Sequence, residues 1–438
     1  MTQVKSPDID SSLEARFLRA FEVNRPHILN GRGQSLAEMR NRAIREFADI
    51  GFPGPKDEAW KYTRVSKVLA RDYEVTVSPT VPALARTDIE PFLIENLDAH
   101  TAVLVNGVFV PELSSIDPVK MRVTDLLESA DDPVFLEHFG RRTDEQKEVF
   151  ASLNTAFARH GLFVHVPKGA GGRTLHVINI STEGTDVFLQ PRHLFIVEDE
   201  AELTVIETHV GSGERHSFTN AVAECFVGER GRLDYYRIQD DECSSSVTNT
   251  FVYQKASSYS SCTTVTLAGE TIRNNVNVLP DAGFCESHLI GLFICKDDMH
   301  VDNHTLVDHA KPDCFSNELY KGILSDQSTG VFNGKVLVRR DAQRTNAYQS
   351  SKSVVLGDSA RMNAKPELEI YADDVKCSHG ATTGRLDAEA LFYLRTRGLS
   401  EQRARTILLL AFARDVLENI QISPLREMLD SRVENRLT

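Results

Sequence analysis

From Leu162 to about residue 375 the chain abandons helical periodicity for short β-branched runs separated by polar turns, and nothing else constrains its fold as tightly. Leu162-Phe-Val-His-Val166, Leu175-His-Val-Ile-Asn-Ile180, Leu194-Phe-Ile-Val197 and Leu203-Thr-Val-Ile206 are strands by composition and length. Turn clusters punctuate the rest: Glu198-Asp-Glu200, Gly228-Glu-Arg-Gly231, Pro280-Asp-Ala-Gly283, Ser325-Asp-Gln-Ser328, Arg339-Arg-Asp341, Gly357-Asp-Ser359 and Ala372-Asp-Asp374. In the later part they recur about every 15 residues, a structural repeat without sequence identity. A β-sandwich and a β-solenoid both fit such a texture. One turn rhythm held for this long favours the solenoid.

Helical signals bracket this β body. Ser11 with Glu14, and Ser35 with Glu38, have the spacing of capping boxes ahead of apolar positions at helical spacing. Gly51-Phe-Pro-Gly-Pro55 then stops the second helix, because proline cannot continue it. Asn106-Gly107 turns a short hairpin within Ala102–Pro111, and a further helix is predicted from about Glu145 to Arg159. At the other end, Asp387 and Ser400 read as N-caps and Ser423-Pro424 as a third helix start. The predicted organisation is a mainly helical region over 1–161, a β core over 162–384 and a helical domain over 385–438. The last carries more apolar surface, including Leu408, Phe412 and Leu417, than a thin cap over a solenoid end needs, so it is expected to be separable from the β core and to serve a partner.

A formal net charge of −14 disfavours nucleic acid and anionic membrane as partners. No run approaches the roughly 18 apolar residues of a membrane span, and Met1 to Asp10 lacks the apolar core of a signal peptide. Seven scattered cysteines, with no CxxC pair, then read as reduced cytosolic thiols, and a cytoplasmic location is the expectation. Gly330-Val-Phe-Asn-Gly-Lys335 is one residue short of a phosphate loop, lacks the Ser/Thr that holds magnesium, and sits between strands. No ATP is expected on this chain. No nucleophile elbow is present. Carboxylate pairs on a solenoid could cleave polysaccharide, which is the enzymatic alternative.

Two polar constellations remain. Cys285, His288, Cys295, His300, Asp302, His304, His309 and Cys314 place metal-ligand side chains within a short span. Alternation on a strand puts His300, Asp302 and His304 on one face, and a solvent-facing row or a stacked polar ladder fits that face as well as a metal site does. Cys377 and His379, two apart on a strand at the end of the β body, could handle iron or a cluster; the bland alternative is a packed thiol and a buried, hydrogen-bonded imidazole.

The segment Ala372-Asp-Asp-Val-Lys-Cys-Ser-His-Gly-Ala-Thr382, followed by Leu391-Phe-Tyr-Leu-Arg-Thr-Arg-Gly398, resembles the SufB/SufD family of iron–sulfur cluster assembly proteins. Glu58-Ala-Trp-Lys-Tyr-Thr63, Tyr320-Lys-Gly-Ile323, Gly330–Lys335 and Pro366-Glu-Leu-Glu-Ile370 agree, so the resemblance spans about residues 58–420. Ser351 stands where the SufB branch carries a cysteine implicated in cluster building, and His379-Gly-Ala-Thr382 replaces His-Glu-Ala-Thr; both departures point to the SufD branch rather than to a SufB-type scaffold. The resemblance implies a right-handed parallel β-helix between helical ends and a non-catalytic subunit paired with SufB. It also implies contact with the ATPase SufC through residues 385–438, typically with two SufC per SufB and SufD. A homodimer in isolation stays open. The resemblance further implies iron or a transient iron–sulfur cluster shared with SufB at His379, with Cys377 beside it. A reduced flavin accompanies such complexes, though no segment here marks its site.

Overall fold

The computed structural model describes residues 13–29, 34–54, 56–69, 71–119, 121–146, 148–182, 186–211 and 216–438. Between Leu162 and Gly384 the described residues contain no helix. The chain alternates between two parallel sheets, one strand in each per coil, through about seven turns of a β-solenoid. Thus Glu286–Cys295, Phe315–Leu324, Asn346–Val355 and Lys376–Gly384 stack in one sheet, and Thr271–Pro280, His300–His309, Thr329–Val338 and Arg361–Ile370 in the other. Register sets the coil length: Ser217 pairs with Ser244, Glu286 with Phe315 and Thr329 with Arg361, which is 27, 29 and 32 residues on. Half a coil is the turn rhythm read from the sequence. The sandwich alternative fails because neighbouring core strands are parallel and one coil apart in sequence, and strands in opposite sheets are joined by turns as short as 269–270.

The corners are hydrogen-bonded to one another as the strands are. Arg230, Ser257, Asp313 and Arg344 all adopt left-handed φ of 54–62°. Each donates its backbone N–H to a carbonyl in the next corner: Ala256, Gly283, Gln343 and Asp374. Such φ values are strained for arginine, and the stacked bonds over-determine them.

Strands of the core bury both faces, so many read as continuous apolar runs. In the ten-stranded sheet, Val205, Tyr235, Cys262 and Leu289 face the interior, while Ile206, Tyr236, Val265 and Ile290 face outward. Helices Glu401–Leu417 and Ser423–Leu437 cover that outer face through Leu409, Ala413, Val416, Leu417, Leu425 and Leu429. This corrects the expectation of surplus apolar surface: the helices lie along the flank, and Leu417 is buried there. Removing residues beyond 385 would uncover the apolar outer face of that sheet. Lys321 pins them, its Nζ 2.8 Å from Phe412 O and 2.5 Å from Asp415 Oδ2.

The N-terminal region covers the other sheet. Phe17, Phe21, Phe47, Phe150 and Phe157 pack over Phe188, Phe218 and Val247. Two buried ion pairs tie it down. Glu224, paired with Arg192, accepts the backbone N–H of Gly140 and Arg142, each at 2.8 Å. Asp302, 2.9 Å from Arg273, accepts Thr63 Oγ1 at 2.5 Å, while Arg273 lies 3.8 Å from the Trp60 ring centroid and donates to Ala59 O at 2.8 Å. The face of His300, Asp302 and His304 is therefore neither solvent nor a free polar ladder: the Glu58–Thr63 segment sits on it.

Of the local signals, the caps at Asp387 and Ser400, the Ser423-Pro424 start and the Asn106-Gly107 hairpin are as read. Ser11 lies outside the described residues. Ser35 falls inside the helix Gln34–Ile50 instead of capping it. The helix read from Glu145 divides into Arg141–Gln146 and Val149–Phe157, because Glu148 caps the second by accepting from Ala151 N at 2.7 Å.

Asp302→Ala should destabilise the chain by about 3–5 kcal/mol, because it leaves the Arg273 guanidinium buried without a counter-charge. Replacing both groups at once, as Arg273→Met with Asp302→Leu, should recover most of that loss in chemical denaturation.

Candidate functional site: the open end of the solenoid

Strands Arg361–Ile370 and Lys376–Gly384 end the two sheets, and each is paired on one side only. Earlier coils bury nearly every residue; Lys376–Gly384 is exposed throughout except at half-buried Cys377. Tyr348, Ile370 and Tyr371 are 40%, 41% and 62% exposed around it. The coil therefore presents a row of unpaired backbone N–H and C=O groups beside apolar side chains, with no helix across it among the described residues. Such an edge is a template for another strand.

Register places the two candidate residues. Cys377 pairs with Ala347 and His379 with Gln349, and both partners are buried. In-register partners share a face, so Cys377 and His379 lie on the interior-facing row where that row reaches the surface. Cys377 packs against the small cluster of Val336, Val338, Ala342, Ala347 and Ala372. Burial pushes its thiol up, opposed by a backbone hydrogen bond from Ala347. His379 is exposed, and its imidazole has no polar partner among the described residues. The alternative of a buried, hydrogen-bonded histidine is excluded for this position, while the packing reading suits Cys377.

Beneath His379 the same row runs inward through Gln349, Glu318, Leu289, Cys262 and Tyr235. Its polarity rises toward the open end. Glu318 is fully buried and accepts from Thr305 Oγ1 at 2.7 Å and Gln349 Nε2 at 3.2 Å, yet its Oε1 has no partner among the described residues. Burial pushes its carboxyl up to about 7 against those two hydrogen bonds. Sequence reading missed this pair, since neither Glu318 nor Gln349 belongs to a motif; their placement under His379 follows from coil length alone.

The other motifs take structural places. Gly330–Lys335 lies within a strand, where a Cβ on Gly334 would sit 2.4 Å from Gln349 Nε2. Likewise a Cβ on Gly291 would sit 2.2 Å from the ring of buried Tyr320. The polar stretch from Cys285 to Cys314 is dispersed. His288 stands among Tyr259, Phe315 and Glu286, and His309 is buried against Ser316 Oγ at 2.9 Å. Cys295 is in the core, and His300 and His304 belong to the Asp302 cluster. Among the described residues no three His, Cys, Asp or Glu side chains are placed to hold a metal ion, and no helix is long and apolar enough to cross a membrane.

Fold and site together define a β-solenoid whose last coil is unfinished. The chain matches the description "SUF system FeS cluster assembly, SufBD core domain" over residues 179–412 and "SufBD protein N-terminal region" over 11–173. It belongs to this SufBD family of iron–sulfur cluster assembly proteins and is SufD-like. It is 30% identical to an iron–sulfur cluster assembly SufBD family protein of Synechocystis, over 99% of this chain and 97% of that one. It is 26% identical to the iron–sulfur cluster assembly protein SufD of Escherichia coli (94% and 95% covered) and 25% to that of Bacillus subtilis (92% and 94%). Ser351, the residue separating the two branches in the sequence, is buried in the interior row between Tyr320 and Ala381.

A carboxyl raised by folding stabilises most below its unfolded pKa, and that contribution is lost as pH rises through its folded value. Glu318 should therefore cost the chain about 3–4 kcal/mol between roughly pH 4.3 and pH 7. Glu318→Gln should gain by that amount on the native chain when unfolding is compared at pH 4 and pH 8; an unchanged difference would remove Glu318 as the source.

Proposed function

We propose that this chain is the SufD-type, non-catalytic subunit of a cytoplasmic SufB–SufC–SufD complex, and that its open coil is the surface that meets SufB. The carrying observation is the one-sided last coil with a free, exposed imidazole at its rim. A homologous solenoid offers the same strand spacing, so edge-to-edge pairing would satisfy the unpaired backbone groups of both. His379, with Cys377 as a weaker neighbour, supplies too few ligands for iron by itself. Ligands from SufB would complete the sphere, which suits a site that handles iron or a nascent cluster as transient cargo.

The C-terminal helices are the proposed SufC contact, through a different surface from the one the sequence pattern picked out. Phe392 and Tyr393 on helix Ala388–Thr396 are 68% and 56% exposed. They adjoin a shallow, open depression lined by Phe392, Arg395, Leu399 and Glu401. When SufC changes state on ATP, differential contacts here would shift the helices. Lys321 links them to the strand Phe315–Leu324, which lies two ladders below His379.

His379→Ala should change stability by no more than about 0.5 kcal/mol, as for other exposed positions. The variant should still assemble with SufB and SufC, yet give a complex with markedly less iron per assembled unit after anaerobic purification. An unchanged ratio would sink the proposed role. Phe392→Asp should abolish co-purification of SufC while leaving the chain's own unfolding unchanged; undiminished SufC recovery would remove this helix from the interface.

A further inference from the structure

The solenoid's corners contain a second chemical feature that the proposed function leaves unused. Cys285 and Cys314 each directly precede a core strand, and because Glu286 pairs with Phe315 the two cysteines are stacked one coil apart. The N–H of Phe315 donates to Cys285 O at 2.9 Å, which fixes that stacking. Both thiols donate to the same oxygen: Cys285 Sγ and Cys314 Sγ are each 3.2 Å from Ala282 O. Cys285 Sγ is also 3.2 Å from Lys255 O and 4.0 Å from Ser258 Oγ, and Cys314 Sγ is 3.5 Å from Pro312 O. Stacked strands lie about 4.8 Å apart, inside the roughly 4.4–6.8 Å between Cα atoms that a disulfide spans.

We infer that Cys285 and Cys314 are a reversible dithiol–disulfide pair, oxidised by small disulfides of the oxidised-glutathione class. The two thiols also differ in acidity. Their mutual interaction lowers Cys285 and raises Cys314, so Cys285 is the more acidic thiol of the pair. Cys225, Cys262 and Cys295, by contrast, are pushed up by burial alone or chiefly by burial, as suits inert core thiols. The pair is buried yet lies one residue inside the surface turns, behind Phe284, which is 67% exposed.

The exchange balances without further reagents. The Cys285 thiolate attacks one sulfur of RSSR, forming a mixed disulfide and releasing one RS⁻. The Cys314 sulfur then attacks Cys285 Sγ and displaces the second RS⁻. Two protein S–H bonds and one RSSR become one protein S–S bond and two RSH; the protein loses two electrons and the oxidant gains them. The product staples two consecutive coils at the corner where their thiols now share one carbonyl.

The test uses the reduced full-length chain, incubated natively with oxidised glutathione, quenched in acid, denatured, alkylated and mapped by peptide mass spectrometry. The expected result is a loss of two alkylatable thiols from the seven in the sequence, with a Cys285–Cys314 cross-linked peptide that dithiothreitol removes. In Cys314→Ser the reaction should stop at a glutathione adduct on Cys285, and in Cys285→Ser the Cys314 thiol should stay unmodified. Both residues remaining fully alkylatable while Cys243 or Cys377 forms adducts would overturn the inference. So would a cross-link from Cys285 to any other cysteine.

Discussion

Parallel strands in register exchange evenly spaced backbone hydrogen bonds, so each residue of the β body lies beside a counterpart about one coil away. That ladder is what the rest of the molecule depends on. It stacks the corners, lines up the interior rows and spaces the outer faces on which the helices pack. It also has ends. A sheet that grows by adding coils always leaves its last strand half-paired unless something covers it, and here the covering helices lie along the flanks.

The solenoid ion pairs on which the N-terminal region rests are better understood as alignment than as net stabilisation. Burying Arg273 with Asp302 costs desolvation that mutual attraction barely offsets. Burial pushes the Asp302 carboxyl up, but His304 and Arg273 together hold it well below the usual range, so it stays charged and keeps selecting its partner. A helix resting on a ladder of similar coils could slip by one coil at little hydrophobic cost. Arg192 with Glu224, Arg273 with Asp302 and Lys321 with Asp415 occur at single coils and forbid that slip.

A rigid body with flanks covered and one end unfinished is suited to joining another like itself. The same ladder that brings His379 to the rim places Gln349 and Glu318 in line behind it. Lys321, which holds the C-terminal helices, lies on the same strand as Glu318.

Much of this was legible in the sequence. The turn clusters declared a repeat of half a coil, because polar and left-handed corner positions recur whatever residues fill the strands. Asp387, Ser400 and Asn106-Gly107 marked local geometry that depends only on near neighbours. Cys377 and His379 were legible as a pair because strand alternation puts i and i+2 on one face. What stayed hidden depends on coil length and on contacts between segments far apart in the chain. Glu318 lies behind His379 because two successive coils take 31 and 30 residues, a count no local pattern encodes. His300, Asp302 and His304 looked like free ligands until Trp60 and Thr63 were folded onto them. Leu417 looked like spare surface until the outer face of the sheet was in place beside it. The sequence by itself determined that the chain winds as repeated strands and turns between helices, since period and turn chemistry are local properties. Only the tertiary structure decided which faces remained open, because exposure is set by everything that packs against a face and not by the residues on it.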